Sequence, residues 1–150
     1  MQQEQLERLT RSLMVSPEVF RRKIEKQLIN TFLKELRLDL AMYHLMILQT
    51  LAQRSDQTVN DVGEELAISR SQMTFATDRL VDLGLITRHP VDEDRRKIRL
   101  DLTLRGRWVL EELTKNIQKE ITRLLNDLSD QDLDQLESGL GMLDRLAKNF

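Results

Sequence analysis

The 150-residue sequence contains no cysteine. That excludes disulfides, thiolate redox sensing and thiolate-bound metals, and it fits a reducing interior. Histidine is nearly missing too: His44 and His89 stand far apart on unlike elements, so no metal site is expected. With 2 prolines and 5 glycines the chain has few residues that end helices, which predicts long helices and few loops. No apolar run approaches the ~18 residues of a membrane span, and the opening MQQEQLERLT lacks the apolar core of a secretion signal. A cytoplasmic chain with no membrane partner is expected. No nucleophile–base pair, phosphate-cradling glycine loop or ligand cluster is present, which argues against an enzyme and against a resident cofactor.

What is present is a chain 40% hydrophobic and 32% charged, enough for one globular domain with a real core. The net charge of −2 does not by itself suggest nucleic acid, but its distribution is uneven. Residues 1–37 carry 8 basic and 5 acidic side chains (net +3), and residues 38–68 carry 1 and 5 (net −4). Residues 69–107 carry 9 and 6 (net +3), and residues 108–150 carry 5 and 9 (net −4). The central stretch is therefore mildly basic inside an acidic chain.

Helical periodicity dominates the sequence. Leu6, Leu9 and Leu13 mark one face of a short helix over residues 2–14. Ser16-Pro17-Glu18 then reads as the start of a separate helix, with serine as N-cap and proline at the first helical position. Its stripe is Phe20, Ile24, Leu28, Phe32 and Leu36, with Arg21, Arg22, Lys23 and Lys26 on the solvated side. Residues 40–53 are apolar nearly all round, the pattern of a helix buried on every side. Thr58-x-x-Asp61 and Ser69-x-x-Gln72 are capping boxes that open two short helices joined at Ala67-Ile68. The first turns Val59, Val62 and Leu66 inward, and the second Met73, Ala76, Leu80 and Leu83. Gly84 stands where a helix C-terminus needs it. Residues 85–88 read as a strand, VDEDRR as a loop, and Ile98, Leu100 and Leu102 as a half-buried strand of period two. Thr103 opens a long helix with the stripe Leu110, Leu113, Ile117, Ile121, Leu124 and Leu128. Ser129-x-x-Asp132 opens another, with Leu133, Leu136, Leu140, Leu143, Leu146 and Phe150.

The order helix–turn–helix, strand, charged loop, strand is that of a winged helix-turn-helix. Such a motif lays its second helix in the major groove with the N-terminal residues against base edges. Here that end carries Ser69, Arg70, Ser71, Gln72, Thr74 and Phe75, with Arg79 further along. Arginine suits guanine, glutamine suits adenine, and an exposed apolar group can meet a thymine methyl. Asp78 and Asp82 share that face and would repel phosphates, so they mark where the helix leaves the groove. The wing carries Arg88, Asp94, Arg95, Arg96 and Lys97, suited to phosphates and the flanking minor groove. A mixed-charge hairpin tip alone is an ordinary solvated feature; its position directly after the helix pair points to double-stranded DNA. A winged helix used only for protein contact stands as the alternative. The flanking stripes exceed what a lobe of this size can bury. Residues 1–37 and 104–150 are therefore expected to form a helical dimerisation region, with residues 38–103 as the lobe.

From Thr58 to Ile86 the sequence resembles the MarR family of transcription factors. Thr58, Val59, Leu66, Ile68, Ser69, Arg70, Ser71, Thr74, Asp78, Leu80, Gly84, Leu85 and Ile86 fall on the family pattern without an insertion. Asp94-Arg95-Arg96, Leu102-Thr103 and Gly106 are similar to its wing signature, and Leu38–Leu48 to the helix preceding the motif. The resemblance implies a mainly α chain with a small β-hairpin: a winged helix-turn-helix with N- and C-terminal dimerisation helices. It implies a homodimer on a pseudo-palindromic operator, with Arg96 in the minor groove and Asp94 fixing its orientation. It also implies ligand-responsive repression by a small aromatic or phenolic effector bound between the dimer helices and the lobe. Phe32, Tyr43, His44 and Trp108 are the candidate lining, although the same residues suit an ordinary core. The chain departs from the pattern in having Ala67 where the family has the turn glycine, Gly63 where it has an alanine, and Phe75 and Ala76 at positions that are often polar or basic.

Overall fold

The computed structural model describes residues 2–149. Its elements run α1 (Gln2–Ile24), a π-helical turn (Glu25–Ile29), α2 (Asn30–Glu35), α3 (Met42–Gln53), α4 (Val59–Glu65), α5 (Arg70–Asp82), β1 (Ile86–Val91), β2 (Asp94–Leu102), α6 (Leu104–Asn126) and α7 (Asp130–Ala147). Two compact units, residues 1–114 and 115–150, divide within α6. No helix among the described residues is long and apolar enough to cross a membrane.

The core of the first unit is built from the predicted inward faces. Leu45, Ile47 and Leu48 of α3, Val62 of α4, Met73, Ala76 and Leu80 of α5, and Val109 and Leu113 of α6 are all buried. Leu85, Ile86 and Leu100 close it from the hairpin side. Each such large side chain, fully buried, contributes about 1.5–3 kcal/mol. α3 is not buried on every side as its composition predicts: Met46 is 38% exposed and Gln49 faces out. Hydropathy counts apolar residues but does not count the elements available to cover them.

The expected helix start at Ser16-Pro17 is not there; α1 runs through Pro17 without a break. A break would orphan backbone groups on both sides, whereas continuing loses the bond proline cannot donate and strains one turn. The next turn also holds the helix together. Glu18 accepts from Arg21 at 2.9 Å and from Arg22 at 2.7 Å, while Arg21 reaches on to Glu25 at 3.0 Å. The hydrogen bonds from Arg21 and Arg22 hold the Glu18 carboxyl down at about 2. At the π-helical turn Asn30 N–H bonds the Glu25 carbonyl, five residues back. The stripe is fully covered only from the end of that turn onward: Ile29, Phe32 and Leu33 are buried, while Val19 and Phe20 are 48% and 54% exposed.

The wing differs from expectation in where its loop lies. The hairpin is in step from Ile86–Leu102 to Pro90–Ile98, yet the next residue, Val91, faces Asp94. Arg95, Arg96 and Lys97 thus have no partners across the ladder. They form a bulge within β2 rather than a loop, and the turn itself is only Asp92-Glu93. Pro90 has no N–H to give, which favours slippage of the register beside it. The outer edge of β2 is occupied by the approach to α4, where Leu100 N–H donates to the Gln57 carbonyl at 2.9 Å. In α7, Ser129 caps as predicted, accepting from Asp132 N–H. Phe150, the last stripe residue, lies outside the described residues.

Candidate nucleic-acid interface

The two helices of the motif are fixed by their caps. Thr58 accepts from Asp61 N–H at 3.2 Å, and the Asp61 carboxylate accepts from Thr58 N–H at 2.9 Å. Bonds from the Thr58 hydroxyl and N–H hold the Asp61 carboxyl below the usual carboxylate range. α4 ends in a Schellman turn: Ile68 N–H reaches the Gly63 carbonyl at 2.9 Å and Ala67 N–H the Glu64 carbonyl at 3.2 Å. Ala67 sits at the left-handed position with φ 52°. α5 opens with Ser69 accepting from Gln72 N–H at 3.4 Å and Gln72 Oε1 accepting from Ser69 N–H at 3.3 Å. It closes in a second Schellman turn around Gly84 at φ 67°, with Leu85 N–H on the Leu80 carbonyl at 2.9 Å.

Burying Met73, Ala76 and Leu80 turns the opposite side of α5 to solvent. Arg70, Ser71, Gln72 and Thr74 are exposed there, and Phe75 is 71% exposed. Ser69 and Gln72, both expected at base edges, are bonded to each other as the cap. Gln72 thus keeps its amide NH2 for an outside acceptor while its Oε1 is engaged. The Thr74 hydroxyl turns back to the Arg70 carbonyl at 3.0 Å. Arg79 is half-buried.

The wing residues divide into two groups. In the bulge, Asp94 Oδ1 accepts from Arg96 N–H at 3.1 Å and Nε at 3.3 Å, while the Arg96 side chain remains 94% exposed. The expected orienting contact between these two residues is present, and Arg95 and Lys97 are exposed beside it. Arg88 behaves differently. Instead of facing outward from the wing it is bonded to α5, pairing with the Asp78 carboxylate and donating to the Thr77 hydroxyl and the Thr74 carbonyl. Asp78 is therefore neutralised by a wing cation, which sequence reading did not anticipate. At the base of the wing, Thr103 Oγ1 bonds the Gly84 carbonyl at 2.7 Å and accepts from Gly106 N–H at 3.0 Å. A Cβ at Gly106 would lie 2.1 Å from the Leu85 carbonyl oxygen, so only glycine lets α6 start against the wing.

These elements enclose a cleft of about 340 Å³ between the start of α5 and the bulge. Arg70 and Thr74 line it from α5, Arg88, Arg96 and Lys97 from the wing, and Thr58 and Asn60 from the cap and first turn of α4. Thr58 and Asn60 were not among the residues picked from sequence; a capping threonine gives no sign that it also borders a cationic cleft.

The candidate effector residues differ in their surroundings. Tyr43 and His44 stack with ring centroids 4.1 Å apart. His44 Nδ1 accepts from Ala41 N–H at 2.9 Å, which leaves its proton on Nε2, buried with no partner among the described residues. Burial pushes the His44 imidazolium pKa down. Phe32 is buried and Trp108 is 48% exposed. Tyr43 also lines a separate cleft of about 300 Å³ with Ile68, Ser71, Gln72 and Phe75. Among the described residues no group of three or more His, Cys, Asp or Glu side chains could hold a metal ion.

The sequence pattern of the MarR family matches residues 38–97, which span α3 to the bulge. The chain carries a MarR family domain. The HTH-type transcriptional regulator YpoP of Bacillus subtilis is 29% identical over 133 residues, 89% of this chain and 94% of YpoP. The HTH-type transcriptional repressor MdtR of the same organism is 25% identical over 127 residues, 85% of this chain and 80% of MdtR. Streptococcus pneumoniae FabT, solved in complex with DNA, shares the fold at TM-score 0.68 and 20% identity, covering 96% of this chain and 98% of FabT. The resemblance read from residues 58–106 and the mainly α winged fold are thus borne out, and the named relatives are transcriptional regulators rather than enzymes. The MarR family wing signature has a physical meaning here: aspartate orients arginine, and threonine and glycine lock the wing to the next helix.

Proposed function

We infer that this MarR family chain is a DNA-binding transcriptional regulator that reads double-stranded DNA with residues 58–103. The observation that carries the reading is the convergence of Arg70, Arg96 and Lys97 on one cleft between the helix and the wing. Arg70, Ser71, Gln72 and Phe75 would meet base edges, with Arg95, Arg96 and Lys97 on the backbone and in the minor groove. The DNA complex of FabT and the repressor MdtR support a repressor acting at an operator. Exposed Leu6, Leu9 and Leu13 of α1 and Leu136, Leu140 and Leu146 of α7 support a homodimer on a pseudo-palindrome. A small aromatic or phenolic acid is the proposed effector, received beside Phe32, Tyr43, His44 and Trp108 by the unpartnered Nε2–H of His44.

Selection of bound duplexes from a random pool, with and without aromatic acids, tests this reading. It expects two inverted half-sites about one helical turn apart, lost or shifted when the effector is present. Recovery of no enriched sequence would leave the alternative, a wing that binds protein.

A further inference from the structure

On α5 the cap of the helix sets the hydrogen-bond polarity of the side chains that face outward. A glutamine reads adenine by donating to N7 and accepting from the N6 amino group. Gln72 cannot do both. Its Oε1 accepts from Ser69 N–H at 3.3 Å and from the Ser69 hydroxyl at 2.9 Å, so both lone pairs are used. The amide cannot turn over either, because its nitrogen would leave Ser69 N–H without an acceptor. Only the two Nε2 protons remain for an outside group. The Ser69 hydroxyl proton is spent on Gln72, so Ser71 is the donor in the 3.3 Å contact between the two serines. Ser71 thus keeps lone pairs for an outside group but no proton. The cleft of about 300 Å³ beside these residues adds a second constraint. Phe75, 71% exposed, and the half-buried Ile68 and Tyr43 line it together with Ser71 and Gln72. No charged side chain among the described residues does. A proton donor therefore stands beside an apolar wall.

We propose that Gln72 and Phe75 together read a thymine, and not the adenine that a glutamine alone suggests. In the major groove thymine shows its O4 acceptor next to the C5 methyl group. Gln72 Nε2 donates to O4, and Phe75 packs on the methyl group. Guanine offers acceptors but no methyl group, and cytosine turns an amino donor toward the amide. Adenine leaves its N6 amino group unpaired, because Ser69 holds the acceptor it needs. The bonds that start the helix thus also choose the base. The inference rests on the DNA-binding function proposed above and goes beyond it by naming the base.

The test replaces each thymine of a selected duplex in turn. Deoxyuridine keeps O4 and lacks the methyl group. 5-Methylcytosine paired with guanine keeps the methyl group and puts an amino donor in place of O4. Affinities are measured by fluorescence anisotropy for the wild type, Phe75→Ala and Gln72→Glu. In the wild type one thymine per half-site should respond to both changes, several-fold to deoxyuridine and on the order of ten-fold to 5-methylcytosine. Phe75→Ala should lose the deoxyuridine response at that position and keep the other. Gln72→Glu keeps one oxygen on Ser69 N–H, the usual Ser-x-x-Glu cap, and turns the other outward as an acceptor. It should bind the 5-methylcytosine duplex better than the thymine duplex at that position, with its melting retained. No thymine sensitive to both changes would overturn the proposal. So would an unchanged ratio of thymine to 5-methylcytosine affinity in a folded Gln72→Glu. Phe75 is exposed, so its removal leaves the fold intact and decides the methyl contact even where Gln72→Glu is unstable; a retained deoxyuridine response overturns that contact. Each of these results leaves the DNA-binding function standing. A wild type that selects no duplex refutes that function, and this inference with it.

Discussion

Ala67 carries the cost of the helix-turn-helix corner. Its φ of 52° is left-handed, where an L side chain costs roughly 1–2 kcal/mol. Ala67→Gly should therefore raise stability by about 1 kcal/mol in urea unfolding, provided the Schellman bonds are kept. A loss would show that the turn is not strained. The interchange with Gly63 was visible in the sequence, but alanine gives no local sign of a positive φ, so the strain was not. Gly63 has its own reason: a Cβ there would lie 3.0 Å from Met73 Cγ. His44 yields a pH prediction. Burial lowers its folded pKa from the ordinary 6.5, so as pH falls through that value the unfolded state takes up the proton first and stability drops. His44→Gln keeps an acceptor for Ala41 N–H and removes the titration. Melting curves from about pH 7.5 to 5.5 should decline for the wild type and stay flatter for the variant, and equal slopes would exclude His44 as the cause.

Among the elements, the recognition helix and the paired strands were legible because each rule needed only neighbours in sequence: capping boxes at spacing three, alternation at spacing two, glycine at the helix end. What was not legible needed partners far along the chain. The bulge depends on which residue of β1 faces Asp94, and the Arg88–Asp78 pair joins residues of different elements. That pair changes the meaning of Asp78, which sequence reading took as a mark of the helix leaving the groove. Arg88→Ala should expose the carboxylate to the phosphates and weaken DNA binding several-fold by fluorescence anisotropy. Arg88→Ala with Asp78→Asn should recover most of that loss. A double variant as weak as the single one would show that Arg88 acts in another way. At the other end of the wing, the Thr103–Gly106 lock explains why the signature continues past the hairpin: the contact with Leu85 leaves no room for a side chain.

For the whole molecule, the apolar stripes of the terminal helices were readable from spacing, and among the described residues many of their leucines stay exposed. Leu6 is 58% exposed in α1, and Leu140 is 53% exposed in α7. Apolar faces of this kind are what the proposed homodimer would bury. The wild type should sediment as a dimer at micromolar concentration and Leu140→Glu as a monomer; a monomeric wild type would remove the dimer from the account. The continuity of α1 through Pro17 was missed because a Ser-Pro-Glu start signal is local, while the cost of breaking a long helix is not. The basic cleft and bulge are proposed to bind a DNA backbone. The most direct test is the affinity of a selected duplex measured from about 50 to 200 mM salt, for the wild type and Arg96→Ala. A steep linear log–log fall is expected for the wild type, with a slope shallower by about 1 for Arg96→Ala and unchanged melting of the variant. Salt-insensitive binding, or identical slopes for the two proteins, would contradict that proposal.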